Sequence, residues 1–259
     1  MYRHQKELRY YNALTFEIIL DIIYKSKNIY RRIRMRVFFE SIFDILYLIT
    51  VIYIGVKLYT KTDSSSMKLF GIMTLILGVG DSFHLIPRVI ALVSGKGFEY
   101  YEMYLGIGKF VTSITMTVFY VILYYIYQNR YHVKEQQNLT FAIYLLAIAR
   151  IGICLLPQNE WLKYRQPLIW GIHRNIPFLI LGIIIIILFY KAAKLNNDRA
   201  FGYMWLAITL SFGFYIPVVL FSGINENFGL LMIPKTVAYV WIVLIGYSYY
   251  MNGVPNDSK

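Results

Sequence analysis

Charge is what this chain is short of. Only 15% of its 259 residues are Asp, Glu, Lys or Arg, against about 25% in a typical soluble domain. Acids are the scarcer sign, 14 against 26 Lys and Arg, which leaves a formal net charge of +12. A single cysteine, Cys154 in AIARIGICLLP, excludes an intramolecular disulfide and a CxxC redox pair, and reads as a small core residue. There are four histidines, His4, His84, His132 and His173. No two of them have the helical i, i+4 spacing of a zinc pair, so neither a metal nor another cofactor is expected. The opening MYRHQKELRYYN has neither the apolar centre nor the small-residue cleavage site of a signal peptide.

What the chain has instead is long apolar blocks. Its composition is 58% hydrophobic and its mean hydropathy is +0.51. A bilayer core takes about 20 apolar residues per helix. Seven blocks approach or exceed that length: 37–59, 66–93, 103–127, 138–156, 175–192, 200–222 and 229–251. In lipid every backbone N–H and C=O must be satisfied within the protein, and blocks of this length do so as helices. The expected fold is therefore all-α, a polytopic membrane protein with seven transmembrane helices over 37–251. The connecting loops are short and offer no room for a large catalytic site outside the membrane.

Residues 1–36 differ in character. Leu14, Ile18 and Ile22, with Ile19 and Ile23, recur at helical spacing, while Glu17 and Asp21 share another face. The segment is too short to span and reads as an interfacial helix. Its basic run (Lys25, Lys27, Arg31, Arg32, Arg34, Arg36) is expected to lie against anionic lipid headgroups just before the first span. That placement, beside a membrane helix, argues against nucleic acid as the partner. The same run puts the N-terminus in the cytoplasm. The short loops pull the other way, because Lys61, Lys68, Arg130, Lys134, Lys191, Lys194 and Arg199 follow spans 1, 3 and 5. The first span is taken to dominate. A short polar tail, 252–259, ends the chain.

Function is to be sought among the polar residues inside the spans. A charge at the centre of a membrane helix costs roughly 2.5–3.5 kcal/mol, so its default reading is functional when it faces the bundle interior. The second span carries three ionisable groups in GVGDSFHLIPR. At 100° per residue Asp81 and Arg88 project within about 20° of each other, with His84 about 60° away. The spacings allow Asp81–His84 and His84–Arg88 pairs. Gly78 and Gly80 allow a neighbouring helix to approach closely. Further candidates are Lys109 in GIGKFVTSITMT, Arg150, His173 and Arg174 in HRNIPF, and Lys235 in IPKT. Asn175 suits an N-cap and Pro177 a first turn, so His173 and Arg174 are expected at the entrance of the fifth span. Glu40 and Asp44, at the start of the first span, are expected to be satisfied by headgroups and by Arg34 or Arg36. Ile-Pro recurs at 86–87, 176–177, 216–217 and 233–234, where each proline removes a backbone donor. Tyr124, Tyr125, Tyr127 and Tyr131, and again Tyr247, Tyr249 and Tyr250, read as interfacial aromatic belts. Trp161 lies in a polar connector that is placed to cap a pocket.

The segments GVGDSFHLIPR, LLPQNEW, HRNIPF and MIPKTVAYVW together resemble an uncharacterised family of bacterial seven-span membrane proteins over most of 67–250. The resemblance implies a bacterial cytoplasmic membrane and seven spans, and carries no activity with it. GVGDSFH is also similar to a segment of alkaline ceramidases, but those need a serine four residues before the histidine and a later HxxxH pair. Here Ser82 is two before His84, and no HxxxH occurs. A retinal protein places its lysine near the centre of span 7, whereas Lys235 lies nearer the start. PQ-loop transporters carry their dipeptide in both repeats, whereas Pro157-Gln158 occurs once.

Two functions fit these residues, along with a bland alternative. In the first, Asp81, His84, Arg88, Lys109, Arg150 and Lys235 line an intramembrane cavity. It binds or transports a small polar or anionic molecule, a proton or a lipid headgroup. In the second, a membrane-embedded lipid hydrolase or transferase uses Asp81 to orient His84 as a general base on water or Ser82. The alternative is a structural scaffold held by internal ion pairs. The excess of bases favours an anionic ligand and a non-enzymatic role.

Overall fold

Seven helices of the protein, described here from a computed structural model, are long and apolar enough to cross a membrane. The structure describes the backbone of residues 2–133, 136–163 and 165–252. Side chains are described within these except at 2–23, 26, 28–30, 32–33 and 226–227. The helical face read at Leu14, Ile18, Ile22, Glu17 and Asp21, together with Arg32, Lys134 and the tail from 253, therefore lies outside the described residues. The elements are α1 (Tyr2–Thr60), α2 (Ser65–Ser94), α3 (Glu102–Tyr131), α4 (Gln137–Leu155), α5 (Leu168–Leu195), α6 (Met204–Phe221) and α7 (Met232–Met251). Short 3-10 turns precede α3, α5 and α7, and no strand occurs among the described residues. The chain divides into two units, 1–43 and 44–259.

In the first unit the described basic side chains of Lys25, Lys27, Arg31, Arg34 and Arg36 are exposed. Arg36 Nε lies 3.8 Å from Glu40 Oε2, one helical turn on, as expected from the sequence.

The second unit is the helix bundle. α3 packs on α2, α4 and α5, the chain then runs α4 to α5, α5 to α6 and α6 to α7, and α7 returns to α2. Glycines set the tightest approaches. A Cβ at Gly71 on α2 would meet the backbone of Gly55 and Tyr59 on α1, one at Gly78 would meet Ile52, and one at Gly80 would meet Thr115 on α3. Thr112 Oγ1 completes that contact by donating to the Gly80 carbonyl at 3.1 Å. The core is aromatic: Tyr120 packs on Phe178 and Phe212, and Phe119 on Tyr239.

Two local expectations are corrected. α5 begins at Leu168, not at 175, with Pro167 in extended backbone as its N-terminal boundary. Asn175 is consequently interior to the helix, where its Nδ2 donates to the Gly171 carbonyl at 2.7 Å and its Oδ1 accepts from Tyr215 at 3.0 Å. Pro177 is tolerated inside α5 because a membrane helix has neighbours that supply polar partners nearby. Pro234 lies within span 7 as expected, in the first turn of α7, where its missing N–H costs nothing. Tyr124 and Tyr127 are buried instead of forming a belt: the Tyr124 hydroxyl lies 2.8 Å from that of Thr140. The reason is that α3 is enclosed by three neighbours, so this part of the helix faces protein on the tyrosine side.

At the far end of α3, Arg130 makes a two-pronged contact with Asp198 in the α5–α6 loop, 3.0 Å on each side. Asp198 Oδ1 also accepts the backbone N–H of Ala200 and Phe201. Burial would push this carboxyl up, but the Arg130 hydrogen bond and the Phe201 donor outweigh it and hold Asp198 below the usual carboxylate range. A depressed folded-state pKa contributes stability above the unfolded value of about 3.9, and that contribution disappears as pH falls through the folded value. Wild type should therefore lose melting temperature as pH drops below about 4. Asp198→Asn should melt lower at pH 7 and lose less on acidification. Parallel melting curves for the two proteins would count against the assignment.

Candidate functional site

Alternation of the helices gathers the candidate residues at one end of the bundle. His84 and Arg88 lie in the second half of α2, Lys109 in the first third of α3, Arg150 near the end of α4 and Arg174 near the start of α5. Tyr215 lies late in α6 and Lys235 one turn into α7. Each is therefore nearest the loops that join α2 to α3, α4 to α5 and α6 to α7.

Asp81 is the acid of this group. Its Oδ2 accepts the hydroxyl of Tyr47 on α1 at 2.7 Å, and Lys235 of α7 is within electrostatic range of it. The expected Asp81–His84 pair is not made. His84 approaches α3, where its Cα borders Gly108 and the backbone of Leu105 is in hydrogen-bonding reach. The buried Nδ1 of His84 has no hydrogen-bond partner. Arg88 lies over the ring of Phe98, 5.4 Å from its centroid. Asp81, His84 and Arg88 thus share one broad side of α2, as the spacing requires, but address different neighbours. Positioned between α1, α3 and α7, α2 has a separate partner for each turn.

The bases surround one another. Arg150 is only 2% exposed and Lys235 7%. The Arg150 guanidinium stacks 3.3 Å from the Phe178 centroid, and its Nε and Nη1 have no hydrogen-bond acceptor. Lys235 Nζ sits 4.6 Å from the Tyr215 ring centre and 5.1 Å from that of Tyr239. Arg150 is in electrostatic range of Lys235 and Arg174, Lys109 of Arg88 and Arg174, and His84 of Lys109, Arg88 and Lys235. Aromatic faces supply part of what water would, worth about 2 kcal/mol or more per desolvated cation, but they accept no hydrogen bond in the plane of a guanidinium.

Arg174 has a different task from the one its motif suggests. Its Nη1 donates to Asn159 Oδ1 at 3.0 Å, its Nη2 to Gln166 Oε1 at 3.2 Å, and its guanidinium lies 4.3 Å from the Trp161 ring centre. Asn159 Nδ2 in turn satisfies the carbonyls of Ile153 and Leu156 at the end of α4, and Trp161 Nε1 that of Cys154. The described part of the connector, 157–163 and 165–167, is thereby folded onto the bundle, with the Trp161 backbone against Gly106 and its ring against Phe110. His173 is exposed and packs edge-on against Trp170, away from this group.

Tyr47, Tyr215 and Tyr239 contribute to the site without having been singled out in the sequence, because a membrane protein with 25 tyrosines offers no local signal for three of them. Asn159 could have been found: a polar amide between the end of one span and a proline-bounded loop is a ready helix-end partner. Among the described residues no three of His, Cys, Asp and Glu come together as metal ligands. The chain matches no protein-family model, no curated protein and no solved structure with which it was compared.

Proposed function

We propose that this protein is a membrane-embedded binding or transport bundle for a small anion, or for the anionic part of a larger molecule. The observation that carries the reading is Arg150, a cation closed off inside the bundle with two N–H groups that lack acceptors. An unpaired buried charge costs several kcal/mol, and an anion that pairs with it offsets that cost. Lys235 and Arg174 add positive potential near it, Arg88 and Lys109 extend the basic group towards α3, and Asp81 engages Tyr47 within range of Lys235. A structural scaffold held by ion pairs would be expected to supply Arg150 with a carboxylate. A hydrolase would need Asp81 or another acceptor on His84 Nδ1.

In the same reading the N-terminus is cytoplasmic, with the exposed basic run of α1 against anionic headgroups of a bacterial cytoplasmic membrane. With that orientation, helix alternation would put the cluster in the cytoplasmic half of the bilayer. Binding of inorganic phosphate and of small carboxylates to purified protein in detergent tests the proposal. Lys235→Met and Arg88→Ala should each weaken the anion that binds by about tenfold, the effect of losing one charge-assisted interaction. Both variants should still insert and fold. Unchanged affinity in both would sink it.

A further inference from the structure

The two aromatic rings that the buried bases lie against also belong to a groove. Phe178, which carries Arg150, and Tyr215, which carries Lys235, both line an apolar groove of about 170 Å³ between α5 and α6. Ile172, Leu179, Ile216 and Asn175 complete the stretch of wall used here. The groove borders the outside of the bundle, where Ile176 is 48% exposed. Its polar side chains, Asn175 and Tyr215, are bonded to each other, and Asn175 also donates to the Gly171 carbonyl. The groove therefore offers a hydrocarbon surface and no free polar group, and it shares Phe178 with a cation that has unmet N–H donors.

We propose that the anion bound here is the head of an acyl lipid, with its chain lying in the α5–α6 groove and its phosphate or carboxylate at Arg150 and Lys235. The inference rests on the anion-binding reading above and adds the class of ligand. Two features meet in this one place. An apolar groove on a membrane protein is ordinary by itself, and a buried arginine alone would be served by any small anion. Rings shared by an apolar groove and two buried cations suit an amphiphile.

The probes are dioleoyl phosphatidic acid, dioleoyl phosphatidylcholine and inorganic phosphate, offered to the full-length protein in detergent and read by native mass spectrometry. Phosphatidic acid should be retained at least about tenfold better than phosphatidylcholine. Ile216→Trp, which fills the groove and leaves every base in place, should weaken phosphatidic acid by a similar factor and leave phosphate unaffected. Arg150→Met should weaken both. Phosphatidic acid bound equally well by Ile216→Trp and wild type overturns the lipid assignment but leaves the anion site standing. Unaltered binding of both probes to Arg150→Met removes the anion site itself. If Ile216→Trp does not fold, a photoreactive diazirine on the acyl chain replaces it. Labelling is expected within 172–179 and 212–220, competed by unlabelled phosphatidic acid and not by phosphatidylcholine. Labelling elsewhere, or equal competition by both lipids, overturns the proposal.

Discussion

Arg150→Met should raise the melting temperature of the purified protein in the absence of added anion, while reducing anion affinity at least tenfold. The two effects have one cause. Arg150 is buried, stacks on Phe178 and leaves Nε and Nη1 without acceptors. Effective desolvation of a buried ion costs several kcal/mol, and replacing buried ionic groups by apolar ones of similar volume is often neutral or stabilising by about 1–4 kcal/mol. The cation–π contact returns about 2 kcal/mol or more, short of the several kcal/mol of desolvation, so the balance favours Met. The bound anion reverses that balance, because a charge-assisted hydrogen bond contributes about 1.5–3 kcal/mol, or one to two orders of magnitude in Kd. Thermal unfolding with and without anion measures both effects. An Arg150 that serves only to hold helices together would give a lower melting temperature for Arg150→Met and no difference in anion response.

Gly108→Leu should be the most disruptive single substitution on the α2–α3 seam, with Gly152→Leu as its harmless counterpart. A Cβ at Gly108 would overlap the Phe83 carbonyl and the His84 Cα, both backbone atoms of α2 that cannot rotate away. Around Gly152 nothing lies within 4 Å of the added atom. Overpacking typically costs about 1–3 kcal/mol where side chains can adjust, and more is expected where only helix separation relieves it. Parting α2 from α3 would also lengthen the 3.1 Å Thr112–Gly80 bond and move His84 and Arg88 away from Lys109. The expected result is a much lower melting temperature and lost anion binding for Gly108→Leu, with near-wild-type behaviour for Gly152→Leu. Equal stability of the two variants would show that the seam opens freely.

The span count and the helical class were legible in the sequence, because both follow from the length of apolar runs and the need to satisfy backbone groups in lipid. The side of α2 that carries Asp81, His84 and Arg88 was legible too, since helical periodicity is local. What those residues touch was not. Asp81 and His84 are spaced to pair, yet each finds a partner on a different helix, because α1 and α3 reach α2 through Gly78 and Gly108 at close range. The start of α5 was misread at Asn175 and Pro177, whose local signals are overridden by continued burial and by Tyr215.

By itself the amino-acid sequence determined a seven-helix membrane protein with more bases than acids inside its spans. Only the tertiary structure decided which bases are compensated: Arg174 by the amides of the connector, Arg130 by Asp198, and Arg150 by a ring face with its Nε and Nη1 left without acceptors. The physical reason is range. Hydrophobic length and helical phase act over neighbouring residues, whereas the partner of a buried charge is chosen by helix packing between residues far apart in the chain.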